Sequence, residues 1–138
     1  MTPFTHILVF DTETTGLFSK QMCALSDMPW IVQFSYLLYN IKTQKIEDVH
    51  DCYIRLPPNV DISPESSNIH GVTRAMVDAK GIPIAQALTP FFRHLTNYSK
   101  KVLLVAHNAS FDLWMIKVAL KRILMSLSIC ICTRSMSM

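Results

Sequence analysis

Apolar residues near the amino end of the chain form two stretches that predict β-strands. Residues 7–10 are continuously apolar, which is typical of a strand buried on both faces. Residues 30–39 (WIVQFSYLLY) combine β-branched and aromatic residues, which favour a second, longer strand. Residues 40–45 predict a hairpin turn, and the more polar residues 46–56 predict a third strand that ends at a Pro-Pro pair. The first part of the chain therefore predicts a meander of three strands.

The middle of the chain predicts helices. Ser63, which precedes a proline, is a typical helix N-cap, and Thr73 has the same role before a segment that Gly81 ends. Residues 84–98 have apolar residues at helical spacing. Pro90 lacks the N–H that an interior helical position donates, so we expect it to start, kink or split this helix.

The last part of the chain alternates between strand and helix patterns. Residues 102–106 predict a short buried strand, and Asn108 then caps a helix with Phe111 and Met115 on one face. Residues 129–132 predict a further strand. The order of three strands, helix, strand, helix and strand is typical of a mixed sheet whose later strands are joined by crossover helices. We therefore predict an α/β fold of the ribonuclease H-like layout, a mixed β-sheet with flanking helices.

Length and composition limit the number of domains and the kinds of partner that we expect. A chain of 138 residues can form one domain with a single core, and we expect that domain to span residues 1–138. The net charge of +3 is mild and the lysines are scattered, so charge alone predicts no nucleic-acid partner. No signal peptide and no apolar run of about 20 residues is present, so we predict a cytoplasmic protein without a membrane span.

Cysteines and isolated histidines do not predict a metal-thiolate site. The four cysteines form no C-x-x-C pair and have no histidine at zinc spacing, so we expect reduced and mostly buried thiols. His6, His50 and His94 belong to no motif, and we expect them on the surface.

Three carboxylates are the candidates for chemistry. Asp11 and Glu13 follow the first apolar strand two residues apart, so both side chains point to the same face, where their like charges cost energy unless a divalent cation is bound. Asp112 lies in the first turn of a helix that follows a strand, which suits convergence on the same site. The alternatives are an exposed acidic turn for the pair, and for Asp112 an acid that complements the helix dipole.

Three separated segments resemble motifs of the DEDD exonucleases, the family that includes the proofreading subunit of bacterial replicative DNA polymerases. They are FDTETTGL at 10–17, ISPESSNIHGVTRAMV at 62–77 and VAHNASFDLWMI at 105–116. The resemblance implies two ions of Mg²⁺ or Mn²⁺, with Asp11 bridging both, Glu13 binding one and Asp112 helping to hold the second. Such a pair of ions stabilises both oxygens of an in-line displacement on a phosphodiester.

The resemblance also implies which side chains bind the terminal nucleotide of a single-stranded 3′ end of DNA or RNA. They are Thr14, Leu17, Glu65, His70, His107, Asn108 and Phe111. Thr14 and its backbone would hold the 3′-hydroxyl, and Leu17 would wedge against a base. For His70 the alternative is a histidine that only stabilises its own tight turn. A DNA polymerase is a candidate protein partner, although the sequence identifies none.

The pattern departs from the family after Asp112. Family members carry a third motif, His-x4-Asp, whose histidine activates water and whose aspartate completes the metal site. No acid follows Asp112 in this chain and no histidine follows His107. Residues 131–136 (ICTRSM) resemble the next strand of the family and the segment after it. We therefore expect a domain that is incomplete at its C-terminus, with impaired 3′-5′ exonuclease activity.

Two other functions are compatible with parts of the sequence. A binding module of the same fold would hold a 3′ end or a protein without cutting, which the missing third motif favours. A phosphatase of the haloacid dehalogenase type also begins with a strand and an acidic motif, D-x-D-x-T. Glu13 stands where that class has its second aspartate, and HNASFD has no counterpart there, so the exonuclease is the leading hypothesis.

Overall fold

The computed structural model describes residues 3–18 and 24–136, without the side chains of 129–136. Its helices and strands, in chain order, are β1 (His6–Thr14), β2 (Ile31–Asn40), β3 (Lys45–Tyr53), α1 (Pro64–His70), α2 (Arg74–Lys80), α3 (Ile84–Tyr98), β4 (Val102–Val105) and α4 (Ala109–Met136). Single turns of 3-10 helix at Leu25–Asp27 and Ser99–Lys101 precede β2 and β4.

The four described strands form one mixed sheet in the order β3-β2-β1-β4. β2 pairs in antiparallel orientation with β1 on one side and with β3 on the other, as a meander requires. β4 follows the crossover through α3 and is parallel to β1. Within this sheet Val9 pairs with Leu37 of β2 and with Val105 of β4. The predicted α/β class and the ribonuclease H-like mixed sheet are thus confirmed.

The main core lies between one face of the sheet and the helices α3 and α4. Leu8, Phe10 and Phe34 point from the strands into this core and are almost fully buried. Phe91 of α3 packs its ring edge-on against Phe10 and Phe34, with centroids 5.4 Å apart in both pairs. Sheet and helices are therefore held together mainly by aromatic and aliphatic burial, the dominant favourable contribution to folding.

The predicted helix caps are present. The Ser63 hydroxyl accepts a hydrogen bond from the Ser66 N–H, and the Thr73 hydroxyl accepts one from the Met76 N–H. Gly71 ends α1 at φ 74°, in the left-handed region that glycine adopts without a steric cost. α3 runs through Pro90 as one helix, so the helix is confirmed, but it neither starts nor splits at this proline.

The expectation that β1 is buried on both faces is wrong. Burial alternates along the strand, and Val9 is 41% exposed between fully buried neighbours. Leu103 and Val105 of β4 are exposed on the same side, so the prediction of a buried strand at 102–106 also fails in part. Among the described residues, the helices that form the core cover one face of the sheet, and we call the other the open face.

The predicted strand at 129–132 is also wrong, because α4 continues through these residues to Met136. The serines that interrupt the apolar run before it do not end the helix. The hydroxyl of Ser126 donates to the Arg122 carbonyl at 3.1 Å, and that of Ser128 donates to the Leu124 carbonyl at 3.0 Å. Such bonds to the preceding turn satisfy a serine inside a helix. The resemblance of 131–136 to a strand segment fails for the same reason.

Two expectations about single side chains change as well. His6 is buried, not on the surface, because its ring stacks on Tyr98 with centroids 3.7 Å apart and its Nε2 lies 3.2 Å from Glu47. His94 is half-buried against Asp48, and His50 is exposed as expected. Cys52 is a half-buried free thiol, and the other cysteine side chains lie outside the description. No described helix combines the length and apolarity that crossing a bilayer requires.

Candidate active site

Asp11 and Glu13 lie near the C-terminal end of β1, where the strand directs both side chains to the open face. Asp11 is exposed and Glu13 is half-buried. The two carboxyl groups are close enough for each to affect the pKa of the other. Phe10 and Thr12 alternate with them and point to the covered face. The strand therefore supplies a pair of adjacent carboxylates beside a packed core.

The pKa values of both carboxyl groups are raised above their ordinary range. For Asp11, partial burial raises the pKa most and the negative charge of Asp112 adds to it, while the contact with Glu13 and the nearby His107 oppose the shift. For Glu13, partial burial is again the largest cause, followed by the charge of Asp11, and His70 opposes it. The charged forms of Asp11 and Glu13 are thus disfavoured by burial and by neighbouring negative charges, and a bound cation would stabilise them.

Asp112 approaches this pair from a position one hundred residues later in the chain. Its Oδ1 atom accepts hydrogen bonds from the Thr12 backbone N–H at 3.0 Å and from the Thr12 hydroxyl at 2.7 Å, and both residues are buried. The pairing of β4 with β1 ends at Val105, so Thr12 lies beyond the end of that neighbouring strand. The Thr12 N–H, which β4 is too short to pair, therefore donates to Asp112 in the first turn of α4.

A groove of about 340 Å³ adjoins Glu13. Its lining includes six of the residues that the sequence singled out, namely Glu13, Thr14, Leu17, Glu65, His70 and Phe111. Leu17, one of these residues, is 78% exposed. Ile69 of α1 also lines the groove and is 81% exposed, and the sequence analysis missed it. An isoleucine between the polar residues Asn68 and His70, directly before Gly71, was the available signal.

His70 and Thr14 are both engaged in holding the loop that carries the groove. His70 Nδ1 accepts from the Val72 N–H at 3.0 Å, so the ring carries its proton on Nε2, which donates to the Thr14 carbonyl at 3.0 Å. The Thr14 hydroxyl donates to the Gly16 carbonyl at 2.8 Å. These bonds match the alternative of a turn-stabilising His70, and contact with a nucleotide stays a prediction for both residues.

His107 and Asn108 are exposed and do not line this groove. Asn108 caps α4, because its Oδ1 accepts from the Phe111 N–H at 3.4 Å. His107 lies near enough to Asp11 to affect that carboxyl electrostatically. The structure thus brings His107 to the acidic pair and gives Asn108 a helix-capping role, and it leaves their predicted role in the substrate pocket untested.

The donor set suits a hard cation. Asp11, Glu13 and Asp112 offer only carboxylate oxygens, the ligands that Mg²⁺ takes together with water and phosphate oxygens. In residues 3–18 and 24–136, however, no three such groups already surround a common point at ligand distances. The chemistry of these three donors therefore fits a divalent cation.

Solved nuclease structures share this fold. The chain superposes with a TM-score of 0.63 on the nuclease domain of 3′hExo, a DEDDh family member bound to rAMP, at 19% identity over 86% of this chain and 59% of that one. It matches cell-death related nuclease 4 with a TM-score of 0.64, at 21% identity over 86% and 40% of the two chains. Exonuclease I of E. coli in complex with a dT13 oligonucleotide gives 0.60, at 19% identity over 78% and 22%. At these identities the likeness shows the fold.

Two proteins and one family model are similar to the chain in sequence. The chain is 32% identical over 118 residues to the PolC-type DNA polymerase III of Caldanaerobacter subterraneus subsp. tengcongensis, which is 86% of this chain and 7% of that protein. It is 34% identical over 106 residues to a DNA polymerase III subunit epsilon-like protein of Rhodobacter capsulatus, 77% of this chain and 13% of that one. The chain therefore spans about a tenth of the length of these relatives. The sequence model of the RNase T type, described as Exonuclease, matches residues 8–137. The chain belongs to the exonuclease family, as the resemblance of its motifs to the DEDD exonucleases implied.

Proposed function

We propose that this domain is a 3′-5′ exonuclease of the DEDDh type, acting on a single-stranded 3′ end of DNA or RNA. The observation that carries the proposal is the pair of hydrogen bonds by which Asp112, from the first turn of α4, is held to Thr12, the residue between Asp11 and Glu13 on β1. Glu13 also lines a groove with exposed apolar side chains. A domain that served only as a scaffold would have no use for such a cluster of like charges.

Asp11, Glu13 and Asp112 are the proposed ligands of Mg²⁺ or Mn²⁺, two ions in the complete site of the family. When bound, such cations stabilise the attacking and leaving oxygens of an in-line displacement on phosphate. The bonds from Thr12 fix Asp112 through Oδ1. No hydrogen bond within the described residues uses its Oδ2 atom, which is therefore the proposed ligand atom.

The groove is the proposed seat of the terminal nucleotide. Leu17, Ile69 and Phe111 offer apolar contact to a base without reading its edge, which suits an enzyme that removes any nucleotide. Glu65 and the backbone at Thr14 are the polar groups beside it, where the 3′-hydroxyl would be held. His70 fixes the loop by its two backbone bonds, and His107 stands near Asp11.

We propose that the 138 residues cleave slowly. No histidine follows His107 and no acid follows Asp112, so the general base and the fourth carboxylate of the family are not among them. A general base contributes typically about 10²–10⁴-fold to rate. Because the sequence relatives are named for DNA polymerase III, a replicative polymerase is the proposed protein partner.

Metal binding tests the site without requiring turnover. We expect Mn²⁺ titrated into the chain in a calorimeter to bind, and Asp11→Asn/Glu13→Gln to weaken that binding at least about tenfold, because two ligands lose their charge. Asp51→Asn is the matched control, since Asp51 lies on the open face two strands from Asp11. Equal affinity in the double variant and the starting chain would show that the site is elsewhere.

Cleavage tests the reaction. A 5′-labelled oligonucleotide with Mn²⁺ should give a ladder that shortens one nucleotide at a time, slowly in this chain and not at all in Asp11→Asn/Glu13→Gln. A circular single strand is the control, because it has no end and should stay intact. A ladder that persists in the double variant would contradict the assignment of these acids.

A second candidate is an end-binding module that does not cut, favoured by the missing histidine and acid of the third motif. It predicts tight binding of a single strand with a free 3′-hydroxyl and no product even after long incubation with Mn²⁺. Product that appears with the starting chain and not with the double variant would exclude it.

A further inference from the structure

A second groove lies outside the candidate active site. It has a volume of about 650 Å³ and follows one side of α4. One wall is α4, which contributes Trp114, Lys117, Lys121 and Met125. The other wall is the turn before β2, which contributes Leu25 and Met28. We call it the α4 groove. None of its residues belongs to the acidic cluster or to the site of the terminal nucleotide.

The α4 groove continues from the site of the terminal nucleotide. Phe111 lines that site, and Trp114 follows it one turn later on α4. Phe18, the neighbour of Leu17, packs edge-on against Trp114 with ring centroids 5.6 Å apart. Both aromatic rings are about two-fifths exposed. A strand that leaves the terminal site would therefore meet two accessible aromatic rings first.

The charges along this face of α4 are all positive. Lys117 and Lys121 are exposed and stand one turn apart on the rim. Neither forms an ion pair with any residue that the structure describes, and no acid follows Asp112 anywhere in the sequence. Accessible aromatic rings followed by cations that have no described ion-pair partner form the kind of surface that binds single-stranded nucleic acid without sequence preference. A protein partner would need acids of its own opposite the two lysines, whereas the phosphates of any nucleic acid supply these charges.

Arg122 holds the wall of the groove that is formed by the turn before β2. Arg122 of α4 donates hydrogen bonds to the carbonyls of Leu25, Met28 and Pro29 at 2.7–2.8 Å, and its guanidinium lies 3.7 Å from the ring centre of Trp30. The turn before β2 is thereby fixed to α4, and the groove keeps its shape without a ligand. A preformed groove avoids the cost of ordering its walls when a strand binds.

We infer that the α4 groove binds the single strand upstream of its 3′ end, with bases against Phe18 and Trp114 and phosphates at Lys117 and Lys121. This inference rests on the proposed function for the direction of the strand. Phe111 and Lys121 are ten positions apart, which is about 15 Å along the helix axis and corresponds to about four stacked nucleotides. Together with the terminal nucleotide, the footprint is about five nucleotides.

Binding without divalent metal tests the groove separately from the acids. In EDTA, the fluorescence anisotropy of 5′-labelled oligothymidylates should show affinity that rises from two to about five nucleotides and then levels off. Lys117→Glu/Lys121→Glu should weaken binding of a ten-nucleotide strand at least about tenfold, change binding of a dinucleotide little, and reduce the slope of log affinity against log salt by about 1.4. Affinity that does not depend on length, or a double variant that binds the long strand normally, would overturn the inference.

Two further variants separate the groove from general charge and from misfolding. Lys100→Glu/Lys101→Glu makes the same charge change before β4, at the end of the sheet opposite the acids, and should change affinity less than about twofold. Trp114→Leu keeps an apolar side chain and should weaken the long strand between about fivefold and a hundredfold, the range of one lost base stack. An equal loss in both lysine pairs would overturn the inference, as would unchanged binding by Trp114→Leu with an unchanged melting temperature.

The proposed function and the groove fail in different ways. Asp11→Asn/Glu13→Gln should weaken Mn²⁺ binding at least about tenfold and leave the length dependence in EDTA intact. If the acids bind metal while the lysine pair has no effect on long strands, the groove is wrong and the exonuclease proposal stands. If the groove variants act as expected while no variant of the acids affects metal binding, the proposed metal ligands are wrong and the inference about the α4 groove stands.

Discussion

The two faces of the sheet differ in what they contribute. On the covered face Leu8, Phe10 and Phe34 are closed off by helices, whereas on the open face Val9 is 41% and Val49 is 60% exposed. Both faces carry apolar side chains, yet only one is packed among the described residues. The acids Asp11 and Glu13 belong to the open face, so one strand supplies core residues and candidate chemical groups at alternating positions.

Alternation of this kind explains how the site is both rigid and accessible. Phe10 and Thr12 hold β1 from the covered side, through the aromatic core and through the bonds to Asp112. Asp11 and Glu13 are then fixed in position by their neighbours and not by contacts of their own. Preorganised groups on a rigid strand are what binding of a cation or a phosphate requires. The comparison predicts that substitutions on the two faces have very different consequences.

The largest difference should appear when the core is truncated. Phe91→Ala removes a ring that contacts Phe10, Phe34 and Tyr36, and it should lower the free energy of unfolding by about 3–5 kcal/mol. Val49→Ala on the open face should cost less than about 1 kcal/mol, the span of β-propensities. Urea unfolding measures both. Comparable losses in the two variants would mean that the open face is covered in solution.

How far the sequence predicted the fold follows from the same comparison. The meander, the two capped helices and the helix at 84–98 are confirmed, because periodicity and capping residues are local signals. The burial of β1 could not be predicted, since a continuously apolar run does not reveal that one face lacks a cover. The helix at 129–132 was missed because serines can bond back to the preceding turn as readily as they can end a helix.

The candidate site was predictable to the extent that motifs carry it. Convergence of Asp112 with Asp11 was expected from its place in the first turn of a helix after a strand and from the motif resemblance, because no local pattern connects residues one hundred positions apart. The role of Thr12 was not predicted, because a threonine in a strand is ordinary until its hydroxyl is seen to bond Asp112. The burial of His6 depends on Tyr98 and Glu47, which only the tertiary fold brings to it. The roles of individual site residues stay predictions.

The bonds between Thr12 and Asp112 provide the second test. Thr12→Val keeps the shape of the side chain but removes one of the two donors to a buried carboxylate, so it should cost about 1–3 kcal/mol of unfolding free energy. Thr96→Val on α3 is the control, since the Thr96 hydroxyl bonds only the Phe92 carbonyl at an exposed position, and it should cost less than about 0.5 kcal/mol. Equal costs would mean that Asp112 is not held through Thr12.

An acid of the covered face should respond to pH in the opposite sense from those of the open face. Asp48 pairs with Leu38 in the sheet and bonds His94 and Tyr36. Burial alone would raise its pKa, but the bonds from His94 and Tyr36 and the charges of His50 and His94 together lower it. Its charged form therefore stabilises the fold above the ordinary aspartate pKa, and that stability is lost as the pH falls through the lowered value.

Asp48→Asn measures this contribution. We expect a loss of about 1 kcal/mol or less at pH 7, because water screens a carboxylate that is partly exposed, and a smaller loss at pH 3. Thermal unfolding at the two pH values checks it. A loss that does not change with pH would show that the shape of the side chain matters and its charge does not.

The smallest expected effect is a gain in stability from the open face. The pKa values of Asp11 and Glu13 are raised by partial burial and by the charges of their acidic neighbours. The folded state therefore binds protons more tightly than the unfolded state, so stability falls as the pH rises from the ordinary range through the raised values, and the full penalty applies above them. Without metal, Asp11→Asn/Glu13→Gln should be more stable than the starting chain at pH 7, by no more than about 1 kcal/mol.

The gain should disappear near pH 3, where the carboxyl groups are protonated in both states, and it should reverse in Mn²⁺, which stabilises only the chain that binds it. Asp51→Asn provides the matched control, because the Asp51 carboxylate lies on the same face and accepts hydrogen bonds from Ser35 and Gln33. This control should not become more stable at pH 7. A double variant that is less stable than the starting chain at pH 7 in EDTA would mean that the two carboxylates serve the fold, and that the open face carries structure as well as the candidate site.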